Sequence, residues 1–435
     1  MSGTFVGFAG IVAMLAMLLL RVPVALAMIS VSGLGTWMLL GSRAAWGVVQ
    51  TTPFQFVSSW TLSAIPMFML MGYISFHSGM TSSMFALAKA LLWRIPGGLG
   101  VSAIFACTIF ASVSGSAVAN SAAMGRITIP EMLRAGYEKN FACGIVASGG
   151  TIGALIPPSI LLIMFGIFAQ TSIIQLFLAG IGMGLATTIG YSLLIIGTSI
   201  FRPEIAPRRM PRVPSEEILT HFLQMWPVML LLVGVFGGMF GGIFTATEAG
   251  AMGALMSLLI ALVQRRLTFP LMGRILSETV MVCGALFLIG VGATMFTRFL
   301  AISGMGDLIS QSVLGWNLEP WQLILVFVAV YLVLGTFMDG IGMMLLTLPI
   351  FLPIIEAQQI SLVWVGVLTA KLIETSNLSP PLGMNVFVIK NVVGSLTTVT
   401  GIFRGVLNFM YIDIVVVLLC VAFPSIVMFI PDLLK

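Results

Sequence analysis

The sequence predicts an all-α polytopic membrane protein made of two inverted repeats, each holding a re-entrant hairpin and a broken helix. Three observations predict it. Of 435 residues, 59% are hydrophobic and only 8% charged, where a soluble domain carries roughly 25% charged residues. Two double prolines, Pro157-Pro158 and Pro380-Pro381, interrupt long apolar stretches directly after clusters of Gly, Ser, Thr and Asn. One long polar segment, FRPEIAPRRMPRVPSEE at 201–217, divides the chain near its midpoint.

A mean hydropathy of +1.15 leaves too little polar surface to face water. Many apolar runs approach the ~20 residues that cross a bilayer. The 47 glycines suit helices that pack closely through small residues. The formal charge of +5 is no nucleic-acid signal, because the basic residues sit in short loops. Cys107, Cys143, Cys283 and Cys420 lie far apart in apolar segments and read as small buried hydrophobes, with no metal or disulfide spacing. His77 and His221 stand alone, without a catalytic partner.

Spans are expected at 3–20, 24–40, 60–77, 140–168, 173–200, 226–243, 248–263, 278–297, 362–389 and 408–430. No basic region precedes residues 3–20 and Arg21 follows them, so the first span reads as uncleaved, with its N-terminus outside. On that orientation 15 of the 19 Lys and Arg fall on the cytoplasmic side, leaving Arg43, Arg298, Lys371 and Lys435. The stretches 99–130 and 321–355 read as hairpins that enter and return on one side. Proline removes a backbone donor and clashes with the preceding turn, so 140–168 and 362–389 are spans broken at membrane depth.

Each half then runs in one order: three spans, an amphipathic connector, a hairpin, a broken span and a final span. The first half starts outside and the second inside, so the repeats are inverted. Aligned on the double prolines, Gly153 falls opposite Ser376 and Ile156 opposite Ser379. The connectors 81–98 and 304–321 carry Trp93, Trp316 and Trp321 and read as helices lying along the membrane surface. Matching broken helices point to an ion and substrate site of a secondary transporter.

The first hairpin turns at ASVSGSAVANSAAMG (111–125), where Ser112, Ser114, Gly115, Ser116, Asn120 and Ser121 crowd the tip. Hydroxyls, amides and carbonyls freed from helical bonding are hard oxygen ligands for a small cation, and 149–159 adds carbonyls near Gly153, Ile156 and Pro158. The plainer alternative is tight helix packing through Ser and Gly. The second tip holds Gly335, Thr336, Asp339, Gly340 and Gly342, opposite Thr375, Ser376, Asn377 and Ser379. Asp339 is expected to cap a half-helix rather than bind the cation. Arg298 reads either as a carboxylate clamp or as an interfacial residue reaching outward. Lys371 and Glu374, three apart, are expected to pair, and Glu248 to cap with Thr245 or Thr247. No nucleotide-binding loop, zinc-peptidase motif or acyltransferase motif occurs.

SGSAVAN at a hairpin tip, GALIPPS, TATEAGA, LGTFMDG and SNLSPPLG, in that order, resemble the large membrane subunit of tripartite ATP-independent periplasmic (TRAP) transporters. The resemblance covers essentially the whole chain. It implies a scaffold (1–98 and 226–320, each ending in an arm helix), an elevator-type transport domain (99–200 and 321–435), and a cytoplasmic linker at 201–225. It implies two Na⁺ sites, one at Ser112, Ser114, Gly153, Ile156 and Pro158, the other at Gly335, Ser376, Ser379 and Leu382, and no organic cofactor. Many relatives carry Gly and Thr where this chain has Ser376 and Ser379. Candidate substrate contacts are Arg298, Ser116, Asn120 and Asn377. The expected partners are a small four-span subunit, a periplasmic binding protein and the bilayer of a bacterial inner membrane. The implied cargo is an organic acid of the C4-dicarboxylate or sialic-acid type. The competing readings are a stand-alone carboxylate carrier of the same fold, and a membrane enzyme or channel.

Overall fold

The computed structural model describes residues 2–80, 82–208, 215–315, 319–381 and 383–434, and every regular element among them is helical. The first half comprises Gly3–Leu19, Val24–Leu40, a bent pair, Ser42–Val57 with Trp60–His77 (55°), and the connector helix Ser82–Leu92. The hairpin Gly98–Ser114/Ala117–Arg134 follows, then the broken span Lys139–Thr151/Ile160–Phe168 and the long helix Ile173–Phe201. The second half repeats the order. A helical run from Trp226 to Phe240 is followed by Ala246–Val263, Phe269–Ser303, the connector Met305–Gly315 and the hairpin Pro320–Leu334/Gly340–Ala357. Leu362–Ser376/Met384–Val393 forms the second broken span, before Val399–Ala422.

Reciprocal packing reveals the internal symmetry. Val24–Leu40, second in its half, lies on Phe269–Ser303, third in the other; Ala64–His77, third in its half, lies on Ala246–Val263, second in the other. The exchange recurs where Lys139–Thr151 packs on Val399–Ala422 and Ile173–Phe201 on Leu362–Ser376. Halves related by a pseudo-two-fold axis pair in this way. Small residues bring the backbones together: a Cβ on Gly292 would stand 2.9 Å from the Ala25 carbonyl oxygen, and Gly144 and Gly405 meet backbone to backbone.

The hairpins and broken spans fall where the sequence predicts, but four details differ. Ser42–Val57, absent from the expected spans, is helical although Arg43, Gln50, Thr51, Thr52 and Gln55 break its apolar run. Phe269–Ser303 has 35 residues, about 52 Å at 1.5 Å per residue, which exceeds a ~30 Å hydrocarbon layer and demands tilt or projection. The final span is not one helix over 408–430. Val399–Ala422 ends before Pro424, and Ser425–Leu433 is separate. His77 is not alone, since its Nε2 lies 2.8 Å from Glu278 Oε2, while Glu278 Oε1 accepts from Arg274. Trp316 lies outside the described residues.

Candidate functional site

Both hairpin tips and both helix breaks meet at one cavity of about 180 Å³. The first tip contributes Gly115, Ser116 and Ala117 and the first break Ala154 and Ile160. The second tip contributes Asp339 and Gly340 and the second break Glu374 and Asn377. Met69, Tyr73, Val282 and Leu286, from Ala64–His77 and Phe269–Ser303, close the opposite wall.

Local sequence explains each corner. Gly115 turns the first hairpin with φ +62°, and a Cβ there would collide with the Pro158 carbonyl oxygen, so tip and break touch through backbone. Ser116 caps Ala117–Arg134 by accepting from Ala119 N (3.4 Å). Asp339 caps Gly340–Ala357, its Oδ2 accepting from Gly342 N (2.9 Å), as the sequence led us to expect. Ser159, after the Pro157-Pro158 cis peptide, caps Ile160–Phe168 and donates to Ala154 O (2.5 Å). Glu248 likewise forms the expected capping box with Thr245.

Around the first break, Ser114 Oγ, Asn120 Oδ1, Ser121 Oγ and Ser148 Oγ are buried oxygens without a hydrogen-bond partner among the described residues. Asn120 Nδ2 donates to Cys107 O (3.0 Å), and a Cβ on Gly150 would strike Ser121. Gly153 stands beside the Ser116 carbonyl and the Asn120 amide, and Ile156 and Pro158 lie in the same turn. Ser112 donates to Ile109 O (2.6 Å). A buried orphan oxygen is costly, so this donor set fits a small hard cation. At the second break, Ser376 donates to Ile373 O (2.7 Å) and Ser379 to Ser376 O (2.8 Å), keeping lone pairs free. Gly335 packs directly on the Ser376 side chain. Leu382 lies outside the described residues.

Of the four candidate substrate contacts, Ser116 and Asn377 line the central cavity. Asn120 sits behind it, fully buried. Arg298 is elsewhere: it donates to Thr52 Oγ1 (2.9 Å) and Gln55 Oε1 (3.0 Å) and lines a separate cavity of about 430 Å³ with Ser59 and Gln170.

The expected Lys371–Glu374 pair does not form. Lys371 Nζ donates to Asp413 Oδ1 (2.5 Å), and both side chains are 0% exposed. Tyr191 OH donates to the same Asp413 oxygen (2.6 Å) and stands 3.4 Å from Thr151 Oγ1, while Thr375 Oγ1 lies 3.4 Å from Asp413 Oδ2. This chain of contacts joins the two broken spans through Ile173–Phe201 and Val399–Ala422. Spacing of three places Glu374 near Lys371, but a carboxylate directly across the helix interface wins the cation. Sequence reasoning missed Asp413, although a lone charge in the apolar run YIDIVVVLL is itself the signal. Asn385, whose Nδ2 donates to Ala147 O (3.4 Å) across the two breaks, was also missed.

Known proteins resemble this chain in sequence and in fold. The family model for the DctM component of the tripartite ATP-independent periplasmic transporters matches residues 11–426. The chain is 33% identical over 380 residues to the C4-dicarboxylate TRAP transporter large permease protein DctM of Pseudomonas aeruginosa, covering 87% of this chain and 88% of that one. It is 31% identical to the sialic acid TRAP transporter large permease protein SiaM of Vibrio cholerae, over 87% of each chain. The Alcanivorax borkumensis YdaH transporter shares the fold with a TM-score of 0.64 at 13% identity, over 89% of this chain and 91% of that one. The relatives are named as permeases, which are not enzymes. A match from residue 11 to 426, carried on a multi-pass helical fold, places the chain in the DctM family as a TRAP transporter large permease component.

Proposed function

We propose that this permease imports an organic acid across a bacterial inner membrane, driven by Na⁺, with its N-terminus on the periplasmic side. A periplasmic binding protein delivers the cargo, and a small four-span subunit completes the membrane complex. Residues 1–98 and 226–320 form the scaffold with its arm helices, 201–225 the cytoplasmic linker, and 99–200 with 321–435 the moving body. The observation that carries this reading is the convergence of both tips and both breaks on one cavity, backed by orphaned buried oxygens.

Two Na⁺ bind as co-transported cargo. The first is held by oxygens of Ser112, Ser114, Gly153, Ile156 and Pro158, the second by Gly335, Ser376, Ser379 and Leu382. Their charge draws hairpin tip and helix break together, which completes the wall of the cavity. The carboxylate of the cargo is met by Ser116 and Asn377, with Asn120 buried behind the first tip as its support, while Arg298 meets it in its own cavity on the way in. An elevator movement of the body past the scaffold then exposes the cargo to the cytoplasm. Support comes from the wall itself, one side of which belongs to Ala64–His77 and Phe269–Ser303 and the other to the hairpins and breaks.

The test is uptake of radiolabelled organic acids into proteoliposomes holding the chain, its small subunit and its binding protein. Uptake is expected only with an inward Na⁺ gradient and only with the binding protein present. Equal uptake with Na⁺ balanced on both sides removes sodium coupling, and equal uptake without the binding protein makes the chain a stand-alone carrier.

A further inference from the structure

A charged cavity of about 350 Å³, lined by His77, Ala123, Arg126, Ile127, Arg274 and Glu278, takes no part in the site described above. It stands on the same three helices as one face of the central cavity. Ala64–His77 gives Met69 and Tyr73 to the centre and His77 to this cavity. Phe269–Ser303 gives Leu286 and Val282 to the centre, then Glu278 and Arg274. Ala117–Arg134 gives Ala117 and Val118, then Ala123 and Arg126. Tyr73 to His77 and Val282 to Glu278 are one helical turn each, about 6 Å. On all three helices the step runs the same way, toward the end where residues 78–98, 126–140 and 264–277 lie. The proposed topology makes that end cytoplasmic. The second cavity therefore lies between the centre and the cytoplasm, in the seam where two scaffold helices face one helix of the moving body.

Its charges do not balance. Both oxygens of Glu278 are engaged, Oε1 by Arg274 Nε (2.8 Å) and Oε2 by His77 Nε2 (2.8 Å). Glu131, on the same helix as Arg126, pairs with Lys89 (2.8 Å) and Arg134 (3.9 Å) instead. Arg126 thus has no acidic partner among the described residues, and Arg274 meets Glu278 through Nε, with its terminal amino groups still to donate. Two guanidinium groups against one carboxylate leave the cavity positive even with His77 neutral. A guanidinium matches a carboxylate as a two-pronged donor. Arg126 is exposed and the Arg274 side chain is 68% exposed, so water screens the attraction. A site on an exit path needs that balance, firm enough to draw the cargo off and loose enough to let it go.

We propose that Arg126 and Arg274 form a second carboxylate-binding site, which receives the cargo from the central cavity before its release into the cytoplasm. This deepens the proposed transport reading and rests on it. Arg126 rides on the moving body and Arg274 on the scaffold, so movement of one past the other brings the pair together on the cytoplasmic side and parts it on the return. Glu278 competes with the cargo for Arg274 and keeps the hold moderate.

The experiment uses the same tripartite proteoliposomes in an inward Na⁺ gradient, with labelled succinate and labelled N-acetylneuraminate offered in turn. Initial uptake is read into an empty lumen and into one loaded with the same acid unlabelled. In the parent, luminal acid is expected to occupy the arginine site and slow uptake. Arg126→Gln should raise the half-inhibiting luminal concentration at least fivefold and lower kcat at least threefold, while the external KM and the half-saturating Na⁺ stay within twofold. Arg126→Lys should recover part of the loss. Glu278→Gln, which removes the competing carboxylate, should lower the half-inhibiting concentration at least twofold. Monodisperse elution of the variant complexes separates these effects from misfolding. Luminal inhibition and kcat within twofold of the parent in Arg126→Gln overturn the site, as does an external KM that shifts as far as the luminal constant. Vesicles of phosphatidylcholine alone are compared with vesicles containing phosphatidylglycerol. A variant effect confined to the latter gives Arg126 to a lipid headgroup and overturns the assignment as well. In each of these cases the sodium-driven reading survives, because the parent still needs its gradient. A parent complex that carries neither acid in a sodium gradient removes both.

Discussion

Lys371 and Asp413 show how a few side chains set the energetics of the membrane interior. Both are 0% exposed, and Tyr191 and Thr375 add hydrogen bonds to the carboxylate. Such a pair gains little over well-packed apolar residues, but losing one member strands a charge in a low-dielectric core. Lys371→Met or Asp413→Leu alone is expected to cost about 3–5 kcal/mol of stability. The double variant should recover most of that loss. Thermal unfolding of the purified complex, followed for the two single variants and the double, checks this; additive losses would show that the two side chains act independently. At this scale the sequence was only partly legible. It named the hydroxyls and amides at the tips, because Ser, Gly and Asn cluster where apolar arms turn. It misassigned Lys371, because spacing along one helix cannot reveal a carboxylate 42 positions away on another.

Among the elements, the informative unit is the hairpin tip resting on the helix break. Gly115 holds φ +62° and leaves no room between itself and the Pro158 carbonyl oxygen. Gly115→Ala adds a left-handed strain of about 1–2 kcal/mol and pushes the tip off the break at the candidate ion site. We expect uptake to fall at least tenfold and the half-saturating Na⁺ concentration to rise, with the complex still assembling. Unchanged sodium dependence in the variant would separate this contact from ion binding. The hairpins and breaks were readable because proline and glycine act through the local backbone. Ser42–Val57 was not, since its mixed polar pattern finds a reason only in its partners: Thr52 and Gln55 receive Arg298.

Across the whole molecule, basic side chains meet partners from loops distant in sequence. Arg266 donates to the carbonyls of Ser78 and Gly79, Lys89 pairs with Glu131, and Lys139, Lys390 and Arg404 share one cavity. Loops distant in sequence thus share these contacts, and the proposed topology assigns them to the cytoplasmic face. Gln170, beside Arg298, lines a different cavity. In a chain with its four native cysteines replaced, a cysteine at Gln170 should react with a membrane-impermeant maleimide in spheroplasts. One at Lys390 should react only after permeabilisation, and the reverse pattern would invert the proposed topology.

The sequence by itself determined that this is a helical membrane protein, where its chain turns, where its helices break, and that two halves repeat in order. Those properties rest on hydropathy, proline and glycine, which act over a few residues. Only the tertiary structure decided which oxygens are left without partners, that Arg298 and the hairpin cavity are separate, and that Asp413 takes Lys371 and leaves Glu374 facing the cavity. Each of these depends on which helix lies against which, and in a core that close-packs distant segments that choice is made by the whole set of contacts at once.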